Sequence, residues 1–330
     1  MNRIILGLVL VFLLIFPVFN MPYLNTFLII LFMYVLLAES YDLLGGYTGY
    51  INMGHIAFFG IGAYTFGLLW NKGLPLYLSF LAGTLAAVIF AILISFPFFR
   101  LRGAYFSLAA FALVKLMEHL TLNLSSITHG SDGLKVLEGN RMIPMYYLSL
   151  LLVVAVIAVS YFITRSRLGL AMASIREEET IAFDFGVPVQ RIKTTAMVIS
   201  ASFAGLMGGF YTWYTIFINP SMVFGTEIAL MPVAMAMLGG SGVIIGPVIG
   251  AVFLLIVEET LWTRFAYLHT AAYGLVILCV GLFMPGGLVR LGPIIPVMLS
   301  FATSKSMPNK AVSPPNVLPS SSTTNIFNIP

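Results

Sequence analysis

LYLSFLAGTLAAVIFAILISFPF, from Leu76 to Phe98, carries no Asp, Glu, Lys, Arg or His in 23 consecutive residues. Wound as a helix at about 1.5 Å per residue, such a run spans the ~30 Å hydrocarbon layer and satisfies its own backbone where no water is available. Outward from it, comparable runs lie at Ile4 to Phe19, Leu24 to Leu44, Ile56 to Trp70 and Ala104 to Leu124. Five more follow: Met145 to Ile163, Thr195 to Ile218, Glu227 to Leu238, Val243 to Val257 and Leu268 to Phe283. The expectation is an all-α integral membrane protein, a polytopic helical bundle of about ten transmembrane segments. Broken or half helices are expected near 45–55 and 227–246, where glycines interrupt the pattern and the run before Gly239 is short for a full span.

Composition points the same way. With 60% hydrophobic and only 8% charged residues, there are too few polar groups to cover a soluble domain. The net charge of +4 is scattered between apolar segments and forms no basic face with aromatic platforms, so nucleic acid is not expected as a partner. Lys and Arg mark topology instead. Arg3, Arg100 with Arg102, the group Arg165, Arg167, Arg176, Arg191 and Lys193, and finally Arg290, Lys305 and Lys310 all fall on one side of a ten-segment chain. By the positive-inside rule that side is cytoplasmic, with both termini there. Lys72, Lys135, Arg141 and Arg264 are left in outward loops. Arg3 with its apolar run reads as a retained first helix, because Pro17-Val18-Phe19-Asn20 offers no small-residue cleavage site. Residues 1–288 form the membrane domain, and 289–330, rich in Ser, Pro, Asn and Thr, a polar cytoplasmic tail expected to be mostly disordered.

The chemistry classes narrow quickly. No Gly is followed by Lys, so no P-loop can cradle nucleotide phosphates, and no nucleophile elbow or H-E-x-x-H zinc site occurs. The single Cys279 sits in an apolar run and reads as a packing residue. No catalytic residue, metal or bound cofactor is expected. Inside the membrane the glycine-rich stretch Gly45 to Gly62, with Gly49, Asn52, Gly54 and His55, reads either as close helix packing or as irregular backbone lining a pathway; His55 itself could be a satisfied interior histidine. Lys115, Glu118 and His119 share a helical face and are candidates for that pathway or for an internal ion pair. Glu39 and Asp42 read as interfacial residues or, preferably, as partners of Arg100 or Arg102. Gly205-x-x-x-Gly209 and Gly242-x-x-x-Gly246-x-x-x-Gly250 read as helix contacts.

Between two spans lies TRSRLGLAMASIREEETIAFDFGVP, residues 164–188, in a loop reaching to 194. Ser174 and Glu177 have capping-box spacing, Glu177, Glu178 and Glu179 suit the positive end of a helix dipole, and Gly186 with Pro188 stops a helix. A helix from Arg176 to Gly186 would align Ile181, Ala182 and Phe185 on one face. Outside the membrane such a stripe packs on lipid headgroups or on a protein, and an acidic first turn disfavours anionic lipid.

This loop resembles that of LivM-type permease subunits of branched-chain amino-acid ABC transporters, whose pattern is S-x-x-G-R-A-x-x-A-I-R-D-x-E-x-A-A-x-x-x-G-I. Ser166, Gly169, Ala171, Ile175, Arg176, Glu178 or Glu179, Ala182 and Gly186 match it, while Leu170 and Phe183 depart. LGGYTGYINMGHIAFFGIGAY, residues 44–64, is similar to the family's L-x-G-Y-x-G-Q-x-S-x-G-H-x-A-F-F-G-I-G-A-Y, with Tyr50 and Asn52 where Gln and Ser are usual. Those two departures bear on the solute more than on the class. Arg100 to Phe106, Gly130 to Leu134, and Leu238 to Gly242 with Gly246-Pro247 are similar as well, so the likeness covers roughly Leu28 to Leu288.

The resemblance implies a transport permease that is not an enzyme, in a bacterial plasma (inner) membrane. Its implied solute is a branched-chain amino acid or a similar small amphoteric molecule. The implied partners are a second, LivH-like permease, two ATPase subunits that bind the ATP, and an extracytoplasmic solute-binding protein, besides membrane lipid. Ser174, Arg176, Glu177, Glu178, Glu179, Ala182, Phe185 and Gly186 would make the ATPase contact. Competing readings are an ion- or proton-coupled secondary transporter with Lys115, Glu118, His119 and Glu39 as its relay, and a urea- or amide-type ABC permease.

Overall fold

The structure, a computed structural model, describes residues 3–19, 21–136, 142–264, 274, 278 and 287–291. Helix α1 (Arg3–Ile15) continues into a 3-10 turn over Phe16–Phe19. Helix α2 (Pro22–Thr48) begins on proline, whose missing N–H would have had no partner in the first turn anyway. It ends at Gly49, where a φ of 77° lets the N–H return to the Gly45 carbonyl. Then come α3 (His55–Asn71), α4 (Leu76–Phe98), α5 (Ala104–Asn123), the short α6 (Ser125–Thr128) and strand β1 (Leu134–Lys135). Next are α7 (Met142–Thr164), α8 (Arg167–Glu177), α9 (Glu179–Asp184) and α10 (Val189–Thr215). Strand β2 (Phe217–Ile218) pairs antiparallel with β1, Leu134 opposite Ile218, a two-residue ribbon not foreseen in the all-helical reading. Last come α11 (Pro220–Phe224), α12 (Thr226–Gly239) and α13 (Gly246–Arg264).

Among the described residues, six stretches are long and apolar enough to cross a membrane: α2, α4, α5, α7, α10 and Pro220–Gly239, which joins α11 to α12. The short run at Glu227 thus gains its missing turns from α11, across the break at Gly225. Helix α3 is shorter at 17 residues, and it is largely buried. The tenth expected segment, Leu268 to Phe283, lies outside the described residues except at 274 and 278; Cys279 and the tail beyond residue 291 lie outside them altogether.

The packing is that of a protein in lipid. Helix α4 buries Ser79, Gly83, Ala87, Ala91 and Ser95, one residue every turn, and turns Leu81, Leu85, Ile89, Leu93 and Phe96 outward. Small residues inward and large apolar ones outward is the reverse of a soluble helix, and suits association by close approach where exposed apolar surface costs nothing. Helix α2 is buried on every side from Val35 to Thr48, packed by α7, α8, α10, α12 and α13. At the crossing of α3 and α10, a methyl on Gly208 would sit 1.9 Å from the Phe59 carbonyl oxygen, and one on Gly62 would sit 2.0 Å from that of Gly205.

Four expectations are corrected. The loop helix does not run unbroken from Arg176 to Gly186: Glu178 is extended (φ −159°), separating α8 from α9. Ser174 is no cap, because α8 already begins at Ser166, whose Oγ accepts from Gly169 N; inside that helix the Ser174 hydroxyl donates back to the Ala171 carbonyl. Ile181, Ala182 and Phe185 do not share a fate, since Ala182 packs with Ile175 and Val189 while Ile181 and Phe185 are exposed. The seventh span begins at Val189 instead of Thr195, so Lys193 lies inside it.

Candidate functional site: two helix breaks under the loop

Two non-helical stretches interrupt the bundle, residues 49–54 between α2 and α3 and 240–245 between α12 and α13, matching the breaks expected near 45–55 and 227–246. Both lie beneath the α8–α9 loop. Gly240 and Gly242 take φ values of 121° and 81°, open to glycine without strain. The Gly242 N–H donates to Asp42 Oδ2 at 2.8 Å, so a fully buried carboxylate of α2 takes up a backbone group freed by the break. Arg176, at the end of α8, lays its stem against Gly49 and its guanidinium against Gly242, within electrostatic reach of Asp42. Asp42 is therefore served by Gly242 and Arg176, not by Arg100 or Arg102. Arg100 stacks its guanidinium over the Phe96 ring, 4.4 Å from the centroid.

The other break is gripped by side chains. Lys193 Nζ donates to Glu179 Oε1 at 2.9 Å and to the Tyr50 hydroxyl at 3.0 Å, and the Tyr50 hydroxyl donates to Glu179 Oε2, closing a triangle. The lysine side chain is 1% exposed; beyond the triangle it has the faces of Tyr50 and Phe99 at 4.3 and 5.2 Å. Tyr50 in turn stands edge-on to Phe99 and Phe106. Burial alone would raise the Glu179 carboxyl, but hydrogen bonds from Tyr50 and Lys193, together with the lysine charge, outweigh it and hold the group below the ordinary 4.5. The same burial and the carboxylate beside it push the Tyr50 phenol up. One residue further on, the Ile51 carbonyl accepts from Ser107 of α5 at 2.8 Å.

The expected pathway residues separate into two places. Gly49, Asn52, Gly54 and His55 form the first break and its exit. Asn52 Oδ1 accepts from Gly54 N at 3.0 Å, and Gly54 abuts the Ala110 carbonyl of α5. His55 is buried, its two ring nitrogens against Ser40 at 3.0 Å and Ser200 at 3.2 Å, joining α2, α3 and α10. Lys115 and Glu118 pair with each other at 2.8 Å on α5, and His119 is exposed. Glu39 is fully buried on α2 with Ser160 of α7 facing it, apart from all three.

The expected ATPase-contact residues also divide. Arg176, Glu179 and Ala182 are engaged with the bundle. Glu177 and Glu178 are exposed, Glu178 accepting from Thr180, and Gly186 (φ 83°) terminates α9. Phe185 is 85% exposed, and Leu170, Ile181 and Phe183 join it on the outer surface of the loop. Tyr50, Lys193, Asp42 and Gly242 do not read as site residues from the sequence, where Asp42 is a partner of Arg100 or Arg102 and Gly242 a helix contact. Tyr50 carried a signal, its departure from the family's Gln, but that departure belongs to the loop contact. Lys193 carried none, because from the sequence it is one more positive loop residue beside Arg191, which stays exposed.

A buried polar cluster ties the loop to two interrupted helices of a polytopic helical membrane protein. The chain belongs to the family described as branched-chain amino acid transport system / permease component, whose model matches residues 23–284. It is similar to the high-affinity branched-chain amino acid transport system permease protein LivM of Escherichia coli (strain K12), 29% identical over 288 residues that cover 78% of this chain and 67% of that one. LivM of Salmonella typhimurium is similar to the same extent. LivH of Salmonella typhimurium is 26% identical over 282 residues, 78% of this chain and 91% of the relative. No solved structure matches. The chain is thus a multi-pass membrane permease subunit.

Proposed function

We propose that this permease carries branched-chain amino acids, or similar small amphoteric solutes, inward as one of two permease subunits of an importer, paired with a LivH-like chain. Two separate ATPases bind and hydrolyse the ATP, and an extracytoplasmic binding protein delivers the solute. The loop end and both termini face the cytoplasm, the side to which the positive-inside rule assigns Arg102, Arg165, Arg167 and Arg176. The observation that carries the reading is the outer surface of the α8–α9 loop: four large apolar side chains, Leu170, Ile181, Phe183 and Phe185, project from a segment whose inner side is fastened to the bundle. Apolar side chains held out on a stiff support suit a protein groove, and the acidic residues among them disfavour anionic lipid.

Liposomes holding this chain, its partner permease and two ATPases test the proposal. Uptake of leucine, isoleucine or valine that needs internal ATP and the binding protein is the expected result, and uptake driven by an ion gradient through this chain alone would overturn it. Phe185→Asp with Phe183→Asp is expected to release the ATPases while the permease pair stays intact.

A further inference from the structure

The polar triangle of Tyr50, Glu179 and Lys193 is what we infer to be the transmission joint of this permease: through it, displacement of α9 is passed to the 49–54 break and so to α3. This inference rests on the proposed function above and adds to it the residues that carry the force.

Three features support it. First, Glu179 is the opening residue of α9, and its two carboxylate oxygens are both taken, one by Tyr50 of the break and one by Lys193 of α10. A carboxylate with both oxygens engaged has its direction as well as its distance set, so α9 cannot shift without pulling on both partners. Second, Lys193 is buried, Glu179 is its one carboxylate partner among the described residues, and opening the joint would strand an ammonium group among the Tyr50 and Phe99 rings. A single-partner buried charge makes the contact hold through movement instead of exchanging for water. Third, the break cannot absorb the pull by sliding. Ile51 is tied to Ser107, Gly54 abuts the α5 backbone, and His55 at the start of α3 is wedged between Ser40 and Ser200. Motion entering at Tyr50 therefore reaches α3 and α5 together. The exposed surface of the loop supplies the partner contact, and this inner triangle converts that contact into movement of the spans.

The experiment uses the complete reconstituted transporter and compares ATP hydrolysed with solute taken up. Wild-type vesicles first establish ATP-dependent uptake; its absence would count against the proposed function and not against the joint. Tyr50→Phe keeps the ring between Phe99 and Phe106 and removes only the hydroxyl. It is expected to leave ATPase co-purification and hydrolysis near wild type while solute per ATP falls about three- to tenfold. Glu179→Gln is expected to behave alike, and Glu179→Lys combined with Lys193→Glu is expected to recover part of the ratio that either single change loses. An unchanged ratio in both Tyr50→Phe and Glu179→Gln overturns the inference, as does a loss that tracks ATPase release, since the triangle would then only shape the docking surface. If Lys193 variants do not accumulate, the tyrosine and glutamate variants decide alone.

Discussion

The two helix breaks solve one problem in opposite ways. Freed backbone groups at membrane depth must find partners. At 240–245 the chain is closed mainly by approach, since a methyl on Gly239 would sit 1.7 Å from the Gly246 carbonyl oxygen and one on Gly250 1.8 Å from that of Met235, and the single Asp42 carboxylate takes the Gly242 N–H. At 49–54 side chains do the work: Ser107 donates to the Ile51 carbonyl, Asn52 accepts from Gly54 N, and Glu179 and Lys193 hold the Tyr50 hydroxyl. A break closed by backbone contact is rigid and intolerant of any added atom. A break held by hydrogen bonds and one ion pair can be pulled as a unit, which is why the joint lies there.

The contrast can be broken hardest at the backbone-closed break. Gly239→Ala or Gly250→Ala has no flexible neighbour to move, and overpacking of this kind costs about 1–3 kcal/mol or more. Loss of monodisperse protein in detergent is expected, and normal yield from both variants would show that the hairpin of α12 and α13 is looser than described. Next in size is Asp42→Ala, which leaves the Gly242 N–H unpartnered at a cost of about 1–3 kcal/mol. Asp42→Asn keeps an acceptor, so thermal unfolding in detergent should place it between Ala and wild type. Equal midpoints for Asn and Ala would mean that the charge beside Arg176 matters more than the hydrogen bond.

At the side-chain-held break the stability effects are smaller. Tyr50→Phe is expected to cost only about 0.5–1.5 kcal/mol, because ring packing survives. A midpoint shift as large as that of Asp42→Ala would erase the distinction between the two breaks. The smallest effect concerns pH. Glu179 ionises more readily in the folded protein than in an unfolded chain, so its contribution is fully present above the ordinary 4.5 and fades as pH falls through its depressed value. Glu179→Gln should flatten that acid limb of the stability curve, and an identical limb in variant and wild type would place the acid-sensitive group elsewhere.

Much of the scaffold was legible in the residues. The run at Leu76 to Phe98 became α4 without a shift, and the glycines near 45–55 and 239–246 marked real interruptions, because length, hydropathy and glycine act locally. The loop was legible as a loop but not in its detail. Ser174 and Glu177 have cap spacing, yet Ser166 starts the helix earlier, and Glu178 breaks it where no proline or glycine warns of a break. Spacing alone grouped Ile181, Ala182 and Phe185, whereas burial separated them.

What the sequence determined by itself is the medium: a chain this apolar, with only 8% charged residues, is stable only where lipid covers it, and its helices follow from the need to satisfy backbone groups there. What only the tertiary structure decided is which charges stay outside. Lys193 counts as one more positive loop residue until α10 brings it beneath α9, and Tyr50 as an odd substitution until its hydroxyl meets Glu179, 129 positions away. Pairing at that separation leaves no trace in local pattern, because it depends on helices meeting in space and not on their spacing along the chain.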